Sequence, residues 1–217
     1  MSLTLATVMA LAQQCAPGIA LEAIVPQVHV ESHFDALAIG VNNGPQVRAR
    51  SKSEAVALAR RLIDAGYSID LGLAQINSAN LVRLGLSVED AFDPCRSLEA
   101  AETVLDVSYR QAAQSRSGRD AIEAAWSLYN TGSSTRGIRN GYVGRIWREA
   151  DRLMPRMRAI LTTGDGAPPE TADGSEPPRI AQAAPRAQPG PARTETAGRP
   201  DWFYGTPNAA ALVFKND

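Results

Sequence analysis

One carboxylate stands apart by its surroundings. In Val28-His29-Val30-Glu31-Ser32-His33-Phe34, Glu31 closes an apolar run and is followed by polar residues. Burial disfavours the charged form of a carboxyl, so such a glutamate can hold its proton to a higher pH than a solvated one and still serve as a base afterwards. That is the chemistry of glycosidic bond cleavage. The plainer reading of this stretch is an ordinary surface carboxylate near a helix end. A second group lies in Tyr67-Ser68-Ile69-Asp70-Leu71-Gly72-Leu73-Ala74-Gln75-Ile76-Asn77, where Asp70, Gln75 and Asn77 stand in apolar company. If buried they need partners. Either they hold the backbone of a buried loop or they face a polar ligand.

The elements that must position these residues are mostly helical. Residues 3–14 read as a first helix, broken by Pro17-Gly18, and a second runs from about Leu21 to Glu31 with Pro26 in its first turns. Glu31 then sits at a C-terminal end, where the helix dipole also favours its neutral form. Asp35 to Arg50 reads as a loop, rich in glycine and asparagine. Ser51 and Glu54 form a capping-box pattern ahead of an amphipathic helix that Gly66 stops. Tyr67 to Asn77 reads as a short extended segment or irregular turn. The spacing then predicts a helix over Ala79 to Leu84 and a long one capped by Ser97 and reaching about Gln114. Another helix follows from Asp120 to about Leu128, and a last one after Asn140-Gly141 is ended or kinked by Pro155.

Composition divides the chain in two. Nine of its fourteen prolines follow Thr162, and such a segment cannot bury enough apolar surface to offset the entropy of ordering it. The expectation is one mainly α domain over residues 1–162 and a disordered, Pro-rich tail over 163–217. The tail's closing aromatics, Trp202, Phe203 and Tyr204, would dock on a partner or fold back on the domain. A net charge of −1 with no Lys/Arg run gives no field for nucleic acid. No apolar stretch reaches the ~20 residues that span a bilayer. Leu3 to Ala12 is apolar enough for a signal-peptide core but has no basic residue before it, which favours an amphipathic first helix.

Taken in order, Glu31-Ser32 with Phe34 and Ala38-Ile39-Gly40-Val41-Asn42, then Gly72-Leu73-Ala74-Gln75-Ile76-Asn77, then Tyr129-Asn130-Thr131-Gly132 ahead of Asn140-Gly141-Tyr142-Val143 resemble the motifs of lytic transglycosylases with a goose-type-lysozyme-like (SLT) fold. Ser68-Ile69-Asp70, the Asp93-Pro94-Cys95 turn and the early Cys15 resemble the subgroup attached to type IV secretion systems. The match covers roughly residues 10 to 150.

The resemblance implies a peptidoglycan-cleaving enzyme of the cell envelope, without metal or cofactor, that works on glycan strands beside secretion-system subunits. Glu31 would protonate the oxygen between N-acetylmuramic acid and N-acetylglucosamine, then take the proton of the muramic acid C6 hydroxyl as it closes a 1,6-anhydro ring. It also implies substrate-side roles for Ser32, Gln75, Asn77, Tyr129 and Asn130. Ser32 would bond the catalytic carboxylate or the sugar, unless it is merely a polar helix end. Gln75 would line the cleft, Asn77 is more readily structural, and Tyr129 would place its hydroxyl close to the acid with Asn130 behind it. Ala74 departs from the family's usual methionine, which shortens an apolar contact with the glycan. Asp70 is a second carboxylate near the motif, read as structural. In an oxidising compartment Cys15 and Cys95 would pair; in a cytosolic protein they would be two buried thiols. Two other readings use the same chain: an envelope scaffold that binds glycan or secretion subunits, and a hydrolytic muramidase with the same site.

Overall fold

The computed structural model describes residues 2–163, and the expectations for the Pro-rich segment, its aromatic end and the domain boundary there lie outside the described residues. Helix α1 (Leu5–Cys15) starts where the Thr4 hydroxyl accepts the Thr7 N–H, and it buries Leu5, Val8, Met9, Ala12 and Cys15 at helical spacing. Helix α2 (Leu21–Ser32) tolerates Pro26 and ends at His33 in the left-handed region. Helix α3 (Lys52–Asp64) begins with Ser51 accepting from the Glu54 N–H, while the Glu54 carboxylate takes the Arg50 N–H rather than that of Ser51.

Three short strands separate this half from the next. β1 (Ile39–Val41), β2 (Ile69–Leu71) and β3 (Ile76–Asn77) form an antiparallel sheet in the order β1-β2-β3, with Gly40 opposite Asp70 and Asp70 opposite Asn77. Asp35 to Arg50 is thus not wholly loop: β1 lies within it. Three half-buried residues with a central glycine carry no alternating pattern to betray a strand.

The second half is helical: α4 (Val88–Ala91), α5 (Pro94–Ala113), α6 (Gly118–Thr131), α7 (Arg136–Arg139) and α8 (Tyr142–Thr163). The helix expected over Ala79 to Leu84 is only a 3-10 turn, Ser78–Asn80, because the Asn77 side chain takes the Ala79 N–H and Gly85 turns left-handed soon after. Helix α5 opens earlier than expected. Asp93 caps it, accepting from the Arg96 N–H, with Pro94 at its first position, and Ser97 is buried inside its first turns. Pro155 does not end α8, since both it and Asp151, whose carbonyl it leaves without a helical donor, are exposed to water.

α2 packs on α8, α1 on α5, and α5 on α6. Val143, Ile146, Ala150, Leu153 and Met157 form the buried stripe of α8, and Val8, Ile24, Leu71 and Leu98 meet in the same core. Apart from Ala150, each such side chain contributes about 1.5–3 kcal/mol by leaving water. Cys15 at the end of α1 and Cys95 at the start of α5 are joined by a disulfide across 80 residues, with their Cα atoms 5.3 Å apart. Among the described residues no helix is long and apolar enough to cross a membrane.

Candidate active site

Glu31 is the penultimate residue of α2 and is half-buried. Just beyond it the chain turns through two successive left-handed residues that are not glycine, His33 (φ 52°) and Phe34 (φ 64°). Such residues cost on the order of 1–3 kcal/mol each and persist only where the surroundings impose them. Here the His33 N–H bonds the His29 carbonyl at 2.9 Å, the Phe34 carbonyl accepts from the Leu3 N–H at 2.8 Å, and the Phe34 ring is buried. The acid's end of α2 is therefore held from α1's side as well as its own.

Facing it is the loop Gly72-Leu73-Ala74-Gln75 between β2 and β3, all four residues buried. A buried irregular segment must find partners for its backbone groups, and this one finds them on three helices and on its own Gln75. The Leu73 carbonyl accepts from the Ser32 hydroxyl of α2 at 2.6 Å. The Ala74 N–H donates to the Ser97 hydroxyl of α5 at 3.1 Å, and the Ala74 carbonyl accepts from the Tyr129 hydroxyl of α6 at 2.8 Å. The Gln75 amide closes the loop on itself, donating to the Gly72 carbonyl at 2.9 Å and to the Ala38 carbonyl beside β1 at 3.2 Å. Gly72 has φ +71°, and a Cβ there would collide with the Ala91 carbonyl, so no other residue fits.

The acid's own partner comes from the other side of the sequence. The hydroxyl of Tyr142, the first residue of α8, donates to Glu31 Oε1 at 2.6 Å. Burial first, and then the charge of Glu31, push the Tyr142 phenol well above its usual range; the same two causes act on Tyr129, with Asp70 adding to them. Both phenols stay protonated. Tyr142 is thus a permanent donor to the carboxyl, and Tyr129 lies within electrostatic reach of it. Among the described residues no group of three or more His, Cys, Asp or Glu could hold a metal ion.

The family model of the transglycosylase SLT domain matches residues 9–146, a span that holds Glu31, the Gly72–Gln75 loop, Ser97, Tyr129 and Tyr142. The chain belongs to the transglycosylase SLT domain family. Among curated proteins it is similar to Protein virB1 of Rhizobium radiobacter, 37% identical over 147 residues, covering 67% of this chain and 62% of that protein. Protein virB1 of Agrobacterium fabrum is 35% identical over 149 residues, covering 68% and 61%. The type IV secretion system protein virB1 of Brucella suis biovar 1 is 38% identical over 149 residues, covering 65% and 63%. The match therefore spans about three fifths of the length of these relatives. No solved structure matches the chain.

Within this SLT domain the residues expected at the site divide into two sets. Glu31 and Tyr129 come together, but Tyr129 spends its hydroxyl on the Ala74 carbonyl, and Tyr142 holds the acid. Ser32 is the last residue of α2. It is buried and its hydroxyl staples α2 to Leu73, with the Val28 carbonyl at 3.2 Å as a weaker acceptor. The Asn77 side chain is turned into the sheet: its amide donates to Asp70 Oδ1 at 2.9 Å and to the Ser68 hydroxyl at 3.0 Å, and its oxygen caps the 3-10 turn. Asp70 is buried in β2 with that amide on it. Gln75 has both amide protons on backbone carbonyls and lies under β1, so close that a Cβ on Gly40 would fall 2.9 Å from its Oε1. Asn130 sits half-buried near the end of α6. Two residues that make these bonds went unassigned from sequence. Tyr142 stands inside the Asn140-Gly141-Tyr142-Val143 motif, where an aromatic hydroxyl directly after an Asn-Gly turn was the available signal. Ser97 gave none, since a serine four residues after Asp93 reads equally well as a cap.

Proposed function

We propose that this domain is a peptidoglycan lytic transglycosylase with Glu31 as its single acid and base. The observation that supports it best is the 2.6 Å bond from Tyr142 to Glu31 Oε1 beside a fully anchored loop. A carboxyl oriented by a donor that cannot itself ionise near neutral pH is ready to give a proton in one direction and take one back in the same place. Glu31 protonates the glycosidic oxygen between N-acetylmuramic acid and N-acetylglucosamine as the C1–O bond breaks, and the N-acetylglucosamine side leaves as an alcohol. The Glu31 carboxylate then takes the proton of the C6 hydroxyl as that oxygen bonds to C1. The product carries a 1,6-anhydro ring, no water is consumed, and the acid is regenerated. Asp70, committed to Asn77 in the sheet, serves the architecture and not as a second catalytic carboxylate.

The relatives named virB1, one of them a type IV secretion system protein, support a place for this activity in the cell envelope. There it would open the wall locally for such a system to assemble, in the periplasm, with residues 163–217 as the segment that meets secretion subunits. The pairing of Cys15 with Cys95 fits an oxidising compartment.

The deciding experiment is mass spectrometry of muropeptides released from purified peptidoglycan by wild type and Glu31→Gln in parallel. Products one water lighter than hydrolysed ones, seen with wild type alone, are the expected result. Reducing ends would assign a muramidase to the same site. No release by wild type would overturn the catalytic reading in favour of an envelope scaffold.

A further inference from the structure

A cavity of about 370 Å³ lies between the last turns of α2 and the first half of α8, lined by His29, Val30, His33, Arg145, Arg148 and Glu149. One of its walls reaches the residue that holds the acid. His29, Val30 and His33 flank Glu31 in sequence, and the Arg145 guanidinium sits 5.7 Å from the centre of the Tyr142 ring whose hydroxyl holds Glu31.

The charges around this cavity are unevenly spent. Glu149 Oε2 accepts from Arg152 Nη2 at 2.7 Å and Nε at 2.8 Å and meets His29 Nδ1 at 3.2 Å, so the cavity's carboxylate is already neutralised by a cation outside the lining. Arg145 and Arg148 form no ion pair among the described residues, and the Arg148 guanidinium lies over Gly144, where a Cβ would come within 3.5 Å of it. Two guanidinium forks thus remain as donors on one wall. The other wall is less polar: Val30, and the rings of His29 and His33 set edge to face with centres 5.1 Å apart. A planar fork presents paired N–H groups that match a carboxylate.

We propose that this cavity binds a carboxylate of the stem peptide carried by the muramic acid that Glu31 acts upon. The proposal rests on the peptidoglycan reading above and adds a substrate feature to it: the enzyme distinguishes peptide-bearing from denuded glycan. The peptide is the anion tethered to the reacting sugar, so it reaches a pocket beside the acid without a separate binding event. The volume falls at the small end of ligand pockets, room for a terminal carboxylate and a short side chain rather than for a polymer.

The test measures affinity with the full chain carrying Glu31→Gln, so that the ligand is not consumed. Three soluble glycan oligomers serve as probes: one with tetrapeptide stems, one stripped by an amidase and then amidated at the lactyl carboxylate that this exposes, and one whose stem carboxylates are converted to carboxamides. The expected result is binding of the first on the order of tenfold tighter than of the other two, a gain that is erased by a further Arg148→Ala and partly restored by Arg148→Lys. Equal affinity for all three oligomers would overturn the proposal, as would a gain that survives amidation of the ligand, an arm that needs no second mutation. Wild-type product analysis separates the two readings. Anhydro products without a peptide preference overturn the pocket alone, and a peptide preference without anhydro products overturns the lytic chemistry alone.

Discussion

The hydroxyl of Tyr142 donates to Oε1 of Glu31 at 2.6 Å across 111 residues, tying the first residue of the last helix to the end of the second. Burial and the neighbouring carboxylate keep that phenol protonated, so the bond persists whether Glu31 holds its proton or not. Glu31→Gln is expected to lose 10²–10⁴-fold in muropeptide release, roughly the range for an acid–base group. Tyr142→Phe removes only the donor and is expected to cost about ten- to a hundredfold in kcat with KM little changed. A phenylalanine variant that keeps wild-type turnover would show that the carboxyl is positioned by something else.

The anchored loop makes a prediction about folding rather than turnover. Ser97→Ala leaves the buried Ala74 N–H without its acceptor, and Tyr129→Phe leaves the Ala74 carbonyl without its donor. Each should lower unfolding stability by about 1–3 kcal/mol in urea titration. Because both hold the same residue from either side, the double variant should fall short of the sum. Strict additivity would mean that the two bonds hold independent parts of the molecule.

How far the sequence reached follows from where its signals are local. Ser51 and Gly66 bracket α3, and the apolar spacing of Val143, Ile146, Ala150 and Leu153 marks α8, because capping and helical periodicity are written in neighbouring residues. Glu31 was legible for the same reason, as an acid at the end of an apolar run, and its motif context raised it further. The strand Ile39–Val41 was not, since its partner Ile69–Leu71 lies thirty positions on and only the pairing defines it. Nor were the targets of Ser32, Ser97 and Tyr129. A hydroxyl's type says that it will donate or accept, but these three converge on the backbone of Leu73 and Ala74, which no side-chain pattern records. Tyr142 was visible as a motif letter and silent as to role, because the acid it serves lies at the opposite end of the domain's sequence.

The disulfide should matter most to the unfolded chain. Joining Cys15 to Cys95 closes a loop of 80 residues, and in the chain-entropy account a crosslink of that length stabilises by about 4–5 kcal/mol. Replacing both cysteines with serine is expected to lower the denaturant midpoint accordingly while leaving the bonds of Glu31 and its facing loop in place, since none of those described involves either cysteine. A midpoint shared by the oxidised protein and the double variant would show that the link adds little.

Acid should weaken the contact of α2 with α8 through His29. Burial lowers the His29 pKa from its usual 6.5; Arg152, His33 and Arg156 act in the same direction, and Glu149 opposes them. Between that lowered value and 6.5 the unfolded chain binds the proton that the folded chain refuses, so stability rises with pH across this window and is lost as pH falls through it. Thermal unfolding followed from about pH 7 down to about pH 5 should therefore show a steeper fall in wild type than in His29→Gln, which has no proton to refuse. Parallel curves would mean that the histidine titrates alike in both states and that Glu149 offsets its burial in full. The same comparison at high salt discriminates further: screening weakens the Arg152, Arg156 and Glu149 contributions but leaves the burial that comes first among the causes. The difference between wild type and variant should consequently survive added salt.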